Sequence, residues 1–330
     1  MGRRIRCSAP GRAGIIGNPS DMYGGSVISC TIQERATVTI EEADALIVEC
    51  RGETLVVRSK EDLDIKKDYF DPAKAAIDCL ELGHLEIKIT CATAIPYQAG
   101  ISGSTAVIVS ILNGLLAWTG EVMDPFRRAE MARHIELNFM KMVCGYQDHY
   151  MCTFGGLNYM DFRDKEFYRS FGQEPYATVE PLADKVNGLP FVVAHTGIRH
   201  VSGAVHKPIR DRWLEGERKV VAGYLRIAHL ARMGKKLMVA GDWEALGELM
   251  VENHEIQRDL GGSGPVNERL IRTALDCGAL GAKLAGSGGG GTIIALHPEP
   301  EEMIEALKEA GADCILYPKP SPGVTVEELE

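Results

Sequence analysis

Three glycine-rich segments, lying far apart in the chain, most strongly constrain what this sequence can fold into. They occupy residues 8–25, 96–106 and 283–292, and are called here the first, second and third glycine segments. Glycine permits close approach of the backbone to a ligand or to another backbone, and such segments are poorly suited to a hydrophobic core. We therefore expect three site-forming loops on a folded scaffold.

Composition excludes several classes of protein. The chain has 330 residues, enough for about two domains of ordinary size. Hydrophobic residues make up 45% and charged residues 25%, which is typical of a globular protein and not of a disordered one. The net charge of −10 argues against nucleic acid or an anionic membrane as a partner.

The cysteines and apolar runs indicate a reduced, cytoplasmic protein. There are nine cysteines, an odd number, with no Cys-x-x-Cys pair among them. The basic start of the chain leads into no apolar segment, so we expect no targeting signal. The longest apolar run, residues 106–118, contains polar residues and is shorter than the roughly 20 residues that span a bilayer, so it predicts a buried helix.

The pattern of elements favours an α+β fold in two parts. Residues 5–51 alternate β-rich runs with turns, and Asp124-Pro125 predicts a helix start with Asp as the N-cap. A charged stretch with glycines and prolines, residues 163–188, precedes a new apolar run, and we place the domain boundary after residue 175. The second half is predicted to be helix-rich, with strands at residues 282–284 and 292–296.

The first glycine segment carries two polar groups that a binding site could use, Arg12 and Asp21. Its five glycines and two prolines make it a good site-forming loop. A plain glycine-rich turn with a surface arginine explains the same residues equally well, so the segment alone leaves both interpretations open.

The second glycine segment leads directly into the apolar run. A loop that leads into a helix N-terminus directs several backbone N–H groups and the positive end of the helix dipole at one point, which suits a phosphate group. The segment is not a Walker A loop, because no lysine lies between Gly100 and Ala106. The pattern favours a phosphate site over an ordinary N-cap.

The third glycine segment contains Gly286, Gly288 and Gly291, which satisfy the dinucleotide-binding pattern G-x-G-x-x-G. Residues 292–296 that follow are typical of a strand, so no helix N-terminus is presented to a pyrophosphate and a dinucleotide site is excluded. The segment could still pack against a second loop that holds phosphates. The alternative is a flexible hairpin loop with no binding role.

Two carboxylates between the second and third segments could converge on one cation. Glu136 lies on the helix that starts at Asp124, and Asp148 follows twelve residues later, just beyond Gly145. Mg²⁺ favours one or two carboxylates together with phosphate oxygens and a hydroxyl. By spacing alone a solvated pair explains both residues as well. The histidines at 195, 200 and 206 fit no zinc spacing, so we expect no transition-metal site.

Taken together and in this order, the three glycine segments resemble the signature motifs of the galactokinase, homoserine kinase, mevalonate kinase and phosphomevalonate kinase (GHMP) superfamily. The spacing of Glu136 and Asp148 agrees with that resemblance, which covers nearly the whole chain. Residues 15–21, 95–104, 145–148 and 155–162 look most like plant-type glucuronokinases. The resemblance implies a two-domain α+β fold, with a ribosomal protein S5 domain 2-like N-terminal half and a ferredoxin-like C-terminal half.

The resemblance also implies that the two halves of the chain have different functions. Residues 1–175 would form the domain that binds ATP and Mg²⁺, and residues 176–330 the domain that closes over the substrate. The residues that would wrap or cover the phosphates are Pro96, Gly100, Ile101, Ser102, Gly103, Ser104, Thr105, Gly286, Ser287, Gly288 and Gly289.

The remaining matches imply the catalytic, metal and substrate residues. Ser104 and Glu136 would bind Mg²⁺, and Asp148 would orient or deprotonate the attacking hydroxyl, with Arg12 beside that hydroxyl and the γ-phosphate. The residues that would contact the sugar are Asn18, Asp21, Tyr23 and Arg199. Phosphoryl transfer requires mostly alignment and charge neutralisation, so these parts are sufficient.

Departures from the family pattern narrow the substrate. Galactokinases carry Glu-His where this chain has Asn18-Pro19, which disfavours a galactose pocket. A uronate carboxylate needs a cationic partner, and Arg199, Lys207 and Arg210 lie in residues 196–213, which would face the substrate. Surface charges near a helix N-terminus are the alternative for each of them.

We therefore expect an ATP- and Mg²⁺-dependent kinase that phosphorylates the anomeric hydroxyl of glucuronate. The open alternatives are another sugar 1-kinase, for a neutral hexose, a heptose or an amino sugar, and a mevalonate-type kinase. A non-catalytic protein that senses a nucleotide or a sugar is an alternative of a different class. We expect no nucleic-acid or membrane partner, and a homodimer is left open.

Overall fold

The computed structural model describes residues 2–96, 98–169, 171–197, 202–286 and 291–329. In the helix that begins at Ser202, it describes side chains only from Pro208 onwards. The described residues form two sheets, one of eight strands and one of four, with helices packed on each. The expected α+β fold is confirmed.

The larger sheet is built around one long antiparallel pair, β1 (Arg4–Ile16) and β2 (Ser26–Glu42). Its strand order is β12-β1-β2-β5-β3-β4, with β6 also paired to β2 and β7 to β6. The other strands of this sheet are β3 (Leu46–Cys50), β4 (Glu53–Val57), β5 (Ile87–Thr93), β6 (Leu157–Asp161), β7 (Thr178–Pro181) and β12 (Thr325–Leu329).

The expectation that the first glycine segment is a loop throughout is wrong for its first half. Residues 8–16 belong to β1 and are almost wholly buried. The pairing of β1 with β2 shifts register between Pro10 and Arg12 and again between Gly14 and Ile16. Such bulges bend a strand and redirect its side chains, so β1 both belongs to the sheet and presents polar residues to a site.

The helices on this sheet include α1 (Asp71–Cys79), α2 (Gly103–Thr119), α3 (Pro125–His134) and α4 (Gln147–Phe154). Helix α2 is the apolar run and is mostly buried, as the sequence predicted; it packs against β1 and β2. Asp124 accepts a hydrogen bond from the backbone N–H of Arg127 and so caps α3. After α3 the chain makes one π-helical turn, Ile135–Phe139, a feature often found at functional sites.

The smaller sheet has the order β11-β8-β10-β9 and is antiparallel throughout. Its strands are β8 (Phe191–His195), β9 (Gly281–Leu284), β10 (Thr292–Leu296) and β11 (Cys314–Leu316). The helices of this half are α5 (Ser202–Leu214), α6 (Arg218–Ala240), α7 (Trp243–Asp259), α8 (Pro265–Asp276) and α9 (Glu301–Glu309).

Two segments beyond residue 175 pair with the larger sheet. Strand β7 lies beside β6, and β12 pairs with β1 at the other edge. The division after residue 175 thus stays a prediction, while the sheets themselves separate between β7 and β8 and rejoin at β12. Among the helices of the described ranges, none has the length and apolarity that crossing a bilayer requires.

Candidate active site

Strand β1 brings the second and third glycine segments together. The backbone N–H of Arg12 donates to the carbonyl of Ile101 (3.1 Å), and that of Gly14 donates to the carbonyl of Ala285 (2.9 Å). A Cβ atom on Gly14 would come within 2.9 Å of the Ala285 oxygen, so the absence of a side chain permits this approach. The first glycine segment therefore serves as the common support of the other two.

The second and third glycine segments also touch each other. A Cβ atom on Gly286 would lie 2.2 Å from the carbonyl oxygen of Gly100, which is too close for any residue but glycine without a shift of the loops. Beyond the glycines, the Thr292 hydroxyl donates to the carbonyl of Ala99 (2.6 Å). The three segments thus meet at one place, although the contacts join residues as much as 273 positions apart in the chain.

At this meeting place Arg12 and Asp148 form an ion pair. The Nε atom of Arg12 donates to Oδ1 of Asp148 (2.7 Å), and a terminal nitrogen lies 2.5 Å from the same oxygen. The Arg12 side chain is only 4% exposed and also donates to the carbonyl of Gly100 (2.8 Å), whereas Asp148 is 30% exposed. Asp148 is therefore the partner of this pair that faces the opening of the site.

Asp148 lies in the first turn of α4, and Asp21 holds the start of that helix. The Oδ2 atom of Asp21 accepts hydrogen bonds from the backbone N–H groups of Tyr146 (2.7 Å) and Gln147 (3.0 Å). Burial raises the pKa of Asp21, although the Gln147 amide opposes the rise and Asp148 adds to it. Asp21 is 1% exposed and caps the start of the helix that carries Asp148; its predicted contact with a sugar stays a prediction.

Asn18 likewise uses its amide inside the protein. Its Nδ2 donates to the carbonyls of Gly286 (3.1 Å) and Leu284 (3.4 Å), and its Oδ1 accepts from Nζ of Lys283 (2.7 Å). Asn18 and Lys283 are both 0% exposed. Burial lowers the pKa of Lys283 well below its usual range, and the nearby Arg12 lowers it further. Asn18 thus joins the first glycine segment to the third.

The second glycine segment forms the start of α2. Ser102 precedes the helix with a left-handed backbone (φ 67°), and its buried hydroxyl lacks a hydrogen-bond partner among the described residues. Residues 103–105 begin a helix of 17 residues, whose first N–H groups have no partner within the helix. Exposed Ser104 and half-buried Pro96, Gly100 and Gly103 lie here, as a phosphate site would require.

Glu136 approaches the same helix start from the π-helical turn. Its Oε2 atom accepts a hydrogen bond from the hydroxyl of Thr105 (3.0 Å) and lies 2.8 Å from Nε2 of His149. The carboxylate is therefore held beside α2 by Thr105, one residue beyond Ser104. Carboxylate and hydroxyl oxygens at a helix N-terminus fit the ligand preference of Mg²⁺, so these residues fit the expected ion.

Tyr23 lies in an aromatic cluster. Its ring stacks on Tyr224 with centroids 4.2 Å apart and lies 4.5 Å from Trp213. Burial raises the pKa of the Tyr23 hydroxyl, Asp21 raises it further and Arg210 lowers it. Tyr23 thus lies near enough to both Asp21 and Arg210 for their charges to shift the pKa of its hydroxyl.

Several predicted site residues cannot be placed, and others were not predicted. Ser287, Gly288, Gly289 and Arg199 lie outside the described residues. The sequence did not indicate His149 or Lys283, whose partners Glu136 and Asn18 lie 13 and 265 residues away in the chain. Lys283 stands at the start of the third glycine segment, and this position was the one available signal for it.

Family models match both halves of the chain. The GHMP kinases N terminal domain matches residues 71–156, and the GHMP kinases C terminal model matches residues 235–313. The first match contains the second glycine segment, Glu136 and Asp148, and the second match contains the third glycine segment.

Relatives and solved structures agree with the family models. "Probable glucuronokinase 2" and "Glucuronokinase 1" of Arabidopsis thaliana are 29% and 28% identical to this chain, each over 90% of it and 86% of the relative. A structure of D-glycero-D-manno-heptose 1-phosphate kinase from Bacteriodes thetaiotaomicron superposes with a TM-score of 0.73 at 21% identity, over 99% of both chains. With the three glycine segments joined around Arg12 and Asp148, these matches show that the chain belongs to the GHMP kinases and is a phosphotransferase with an alcohol group as acceptor.

Proposed function

We propose that this sugar kinase transfers the γ-phosphate of ATP to the anomeric hydroxyl of glucuronate. The observation that carries the proposal is the Arg12–Asp148 pair, which lies where the three glycine segments meet. The two glucuronokinases of Arabidopsis thaliana, which align over 90% of the chain, support glucuronate as the acceptor.

In the proposed mechanism Asp148 receives the hydrogen bond of the attacking hydroxyl. Both contacts from Arg12 go to Oδ1, so the carboxylate is held in one orientation, with Oδ2 assigned to the acceptor. Arg12 is itself fixed by the carbonyl of Gly100, and a fixed guanidinium close to the phosphates offsets charge without reorganising during transfer.

The phosphates are proposed to bind at the start of α2, where Ser102 to Thr105 present backbone N–H groups and hydroxyls. Ser104 and Glu136 are the proposed Mg²⁺ ligands, and Thr105 positions Glu136 through its hydrogen bond. When bound, Mg²⁺ neutralises charge on the phosphate oxygens. In the third segment, Gly286 would complete the enclosure with Ser287, Gly288 and Gly289.

Arg210 is the described cation that best fits a uronate carboxylate. It lies on α5 with its guanidinium 5.9 Å from the ring centroid of Phe167, and its charge reaches the Tyr23 hydroxyl. Its side chain is 21% exposed and pairs with neighbouring Asp211 (3.0 Å). A carboxylate on the sugar could exchange with Asp211 as its partner. Arg199 and Lys207 remain candidates from the sequence.

The test is ADP release measured over a panel of uronic acids, neutral hexoses, heptoses, amino sugars and mevalonate. Phosphorus NMR of the product then identifies the phosphorylated position. We expect glucuronate to give the highest kcat/KM and an anomeric phosphate. A neutral sugar or mevalonate as the best acceptor, or a phosphate at another hydroxyl, would contradict the proposal.

Arg210→Gln separates the substrate class from the chemistry. If Arg210 binds the carboxylate, the variant should lose about tenfold or more in kcat/KM for glucuronate, the effect of one charge-assisted hydrogen bond, and little for a neutral sugar. Arg258→Gln, in another exposed arginine–aspartate pair on α7, is the control. An equal loss for charged and neutral sugars would argue against this role.

A further inference from the structure

Glu136, Cys144 and His149 form a compact group of three different donor types. They come from the π-helical turn, the loop after it and α4, and one ligand atom of each lies within 4.8 Å of the other two. Among the described residues no second group of three histidine, cysteine or carboxylate side chains is as close together. The function proposed above uses only Glu136 of the three.

His149 is buried and only partly satisfied. Its side chain is 0% exposed, and Nε2 lies 2.8 Å from Oε2 of Glu136. Its other ring nitrogen, Nδ1, is buried with no hydrogen-bond partner in the part of the chain that the structure describes. Buried polar atoms of native proteins are nearly always paired, so His149 has one ring nitrogen still available to a further partner.

The donor set matches a zinc ion better than a magnesium ion. Zn²⁺ binds imidazole nitrogen, thiolate sulfur and carboxylate oxygen, often with three protein ligands and one water. Tetrahedral bonds of roughly 2.0–2.3 Å place such ligands about 3.3–3.8 Å apart, which small side-chain shifts within the group would reach. Mg²⁺ requires an octahedral shell of oxygens, so sulfur and nitrogen disfavour it.

The local charge also favours a divalent cation. The carboxylates of Glu136, Asp148 and Asp21 lie close enough to act electrostatically on the Cys144 sulfur, and the Arg133 guanidinium opposes them. The positive charge of a bound divalent ion would outweigh these negative charges at the sulfur and favour the thiolate. As the sulfur–metal bond forms, the thiol proton leaves to the solvent buffer.

We propose that Glu136, Cys144 and His149 bind Zn²⁺, or a divalent ion of similar softness, and that this ion competes with Mg²⁺ for Glu136. Binding itself is independent of the sugar that the enzyme uses, whereas the competition rests on the proposed role of Glu136. The site would make the kinase sensitive to free zinc in a way that its oxygen ligands alone would not.

The experiment titrates the full chain with Co²⁺ as a spectroscopic probe, without nucleotide and under reducing conditions. A tetrahedral site with a thiolate gives intense visible bands and a sulfur-to-cobalt charge-transfer band, and Zn²⁺ should displace both. Zn²⁺ affinity is then measured by competition with a chromophoric chelator. Cys144→Ser and His149→Gln are the test variants, and Cys277→Ser, a half-buried cysteine outside the group, is the control.

We expect one Zn²⁺ per chain, loss of the charge-transfer band in Cys144→Ser, and affinity at least about tenfold weaker in both test variants, with Cys277→Ser unchanged. Thermal melts by circular dichroism report whether each variant folds; should His149→Gln not fold, Cys144→Ser decides alone. Unchanged Zn²⁺ affinity in folded Cys144→Ser would overturn the site.

Kinetics test the competition separately. Inhibition of ADP release by Zn²⁺ should be relieved by excess Mg²⁺ in the wild type and be weaker in Cys144→Ser. Zinc inhibition that excess Mg²⁺ leaves unchanged would overturn the competition. If no sugar in the panel is phosphorylated, the proposed function fails while the cobalt and zinc titrations still decide whether the metal site exists.

Discussion

Replacing Asn18 with alanine tests how the first and third glycine segments are joined. Asn18 is wholly buried, and its amide makes three hydrogen bonds, to Lys283, Leu284 and Gly286. In Asn18→Ala all three are lost. The variant therefore removes one polar bridge and leaves the rest of the site unchanged.

The magnitude follows from the groups left without partners. The carbonyl of Gly286 loses a donor, and Nζ of Lys283 keeps only the carbonyl of Leu284 (2.5 Å) as a described acceptor. A buried group left unsatisfied costs about 1–3 kcal/mol, and the carbonyl of Leu284 retains Lys283, so two groups are affected. We expect the free energy of unfolding to fall by about 2–6 kcal/mol, the sum for two such groups.

The assay is urea unfolding combined with separate KM values for nucleotide and sugar. Because Asn18 holds the third glycine segment, the nucleotide KM should rise more than the sugar KM. Asn138→Ala, on the exposed part of the π-helical turn, should change stability by less than about 0.5 kcal/mol. If Asn18→Ala is as stable as the wild type but has a raised sugar KM, then Asn18 is the substrate ligand that the sequence predicted, and the structural reasoning is refuted.

Two further predictions concern Lys283 and Gly286. Burial lowers the pKa of Lys283 in the native state, so between that pKa and the unfolded value near 10.4 the unfolded state binds more protons and the free energy of unfolding rises with pH. Urea midpoints at about pH 7 and pH 9.5 should therefore rise more in the wild type than in Lys283→Met. An equal change of midpoint with pH in both proteins would contradict this. Gly286→Ala would place a Cβ atom 2.2 Å from the Gly100 oxygen, so nucleotide affinity measured by calorimetry should fall about tenfold or more. Gly83→Ala, whose Cβ would meet only a Leu63 methyl at 4.0 Å, should leave the affinity unchanged. Equal affinities of Gly286→Ala and the wild type would show that the two loops do not need this contact.

Much of the scaffold could be predicted from the sequence because its signals are local. The apolar run predicted helix α2, Asp124-Pro125 predicted the start of α3, and residues 292–296 predicted a strand, all of which the structure confirms. In each case the deciding residues lie within one element. Strand β12 had no such signal, because its side chains are mostly exposed and its order depends on pairing with β1.

The candidate site was predictable in its residue types but not in its partners. Asn18 and Asp21 stand among glycines, which indicated a ligand, yet Asp21 caps a helix 125 residues away and Asn18 holds Lys283, 265 residues away. No local pattern distinguishes an amide that binds a sugar from one that joins two segments. The same holds for His149, whose contact with Glu136 depends on the π-helical turn.

The central claim is that Asp148, held by Arg12, faces the alcohol that is phosphorylated. Asp148→Asn tests it most directly, with kcat from ADP release and nucleotide affinity from calorimetry on the same preparation. We predict that kcat falls by about 10²–10⁴ while the nucleotide Kd changes by less than about threefold. A variant that keeps wild-type kcat, or one that loses nucleotide binding together with turnover, would contradict the account.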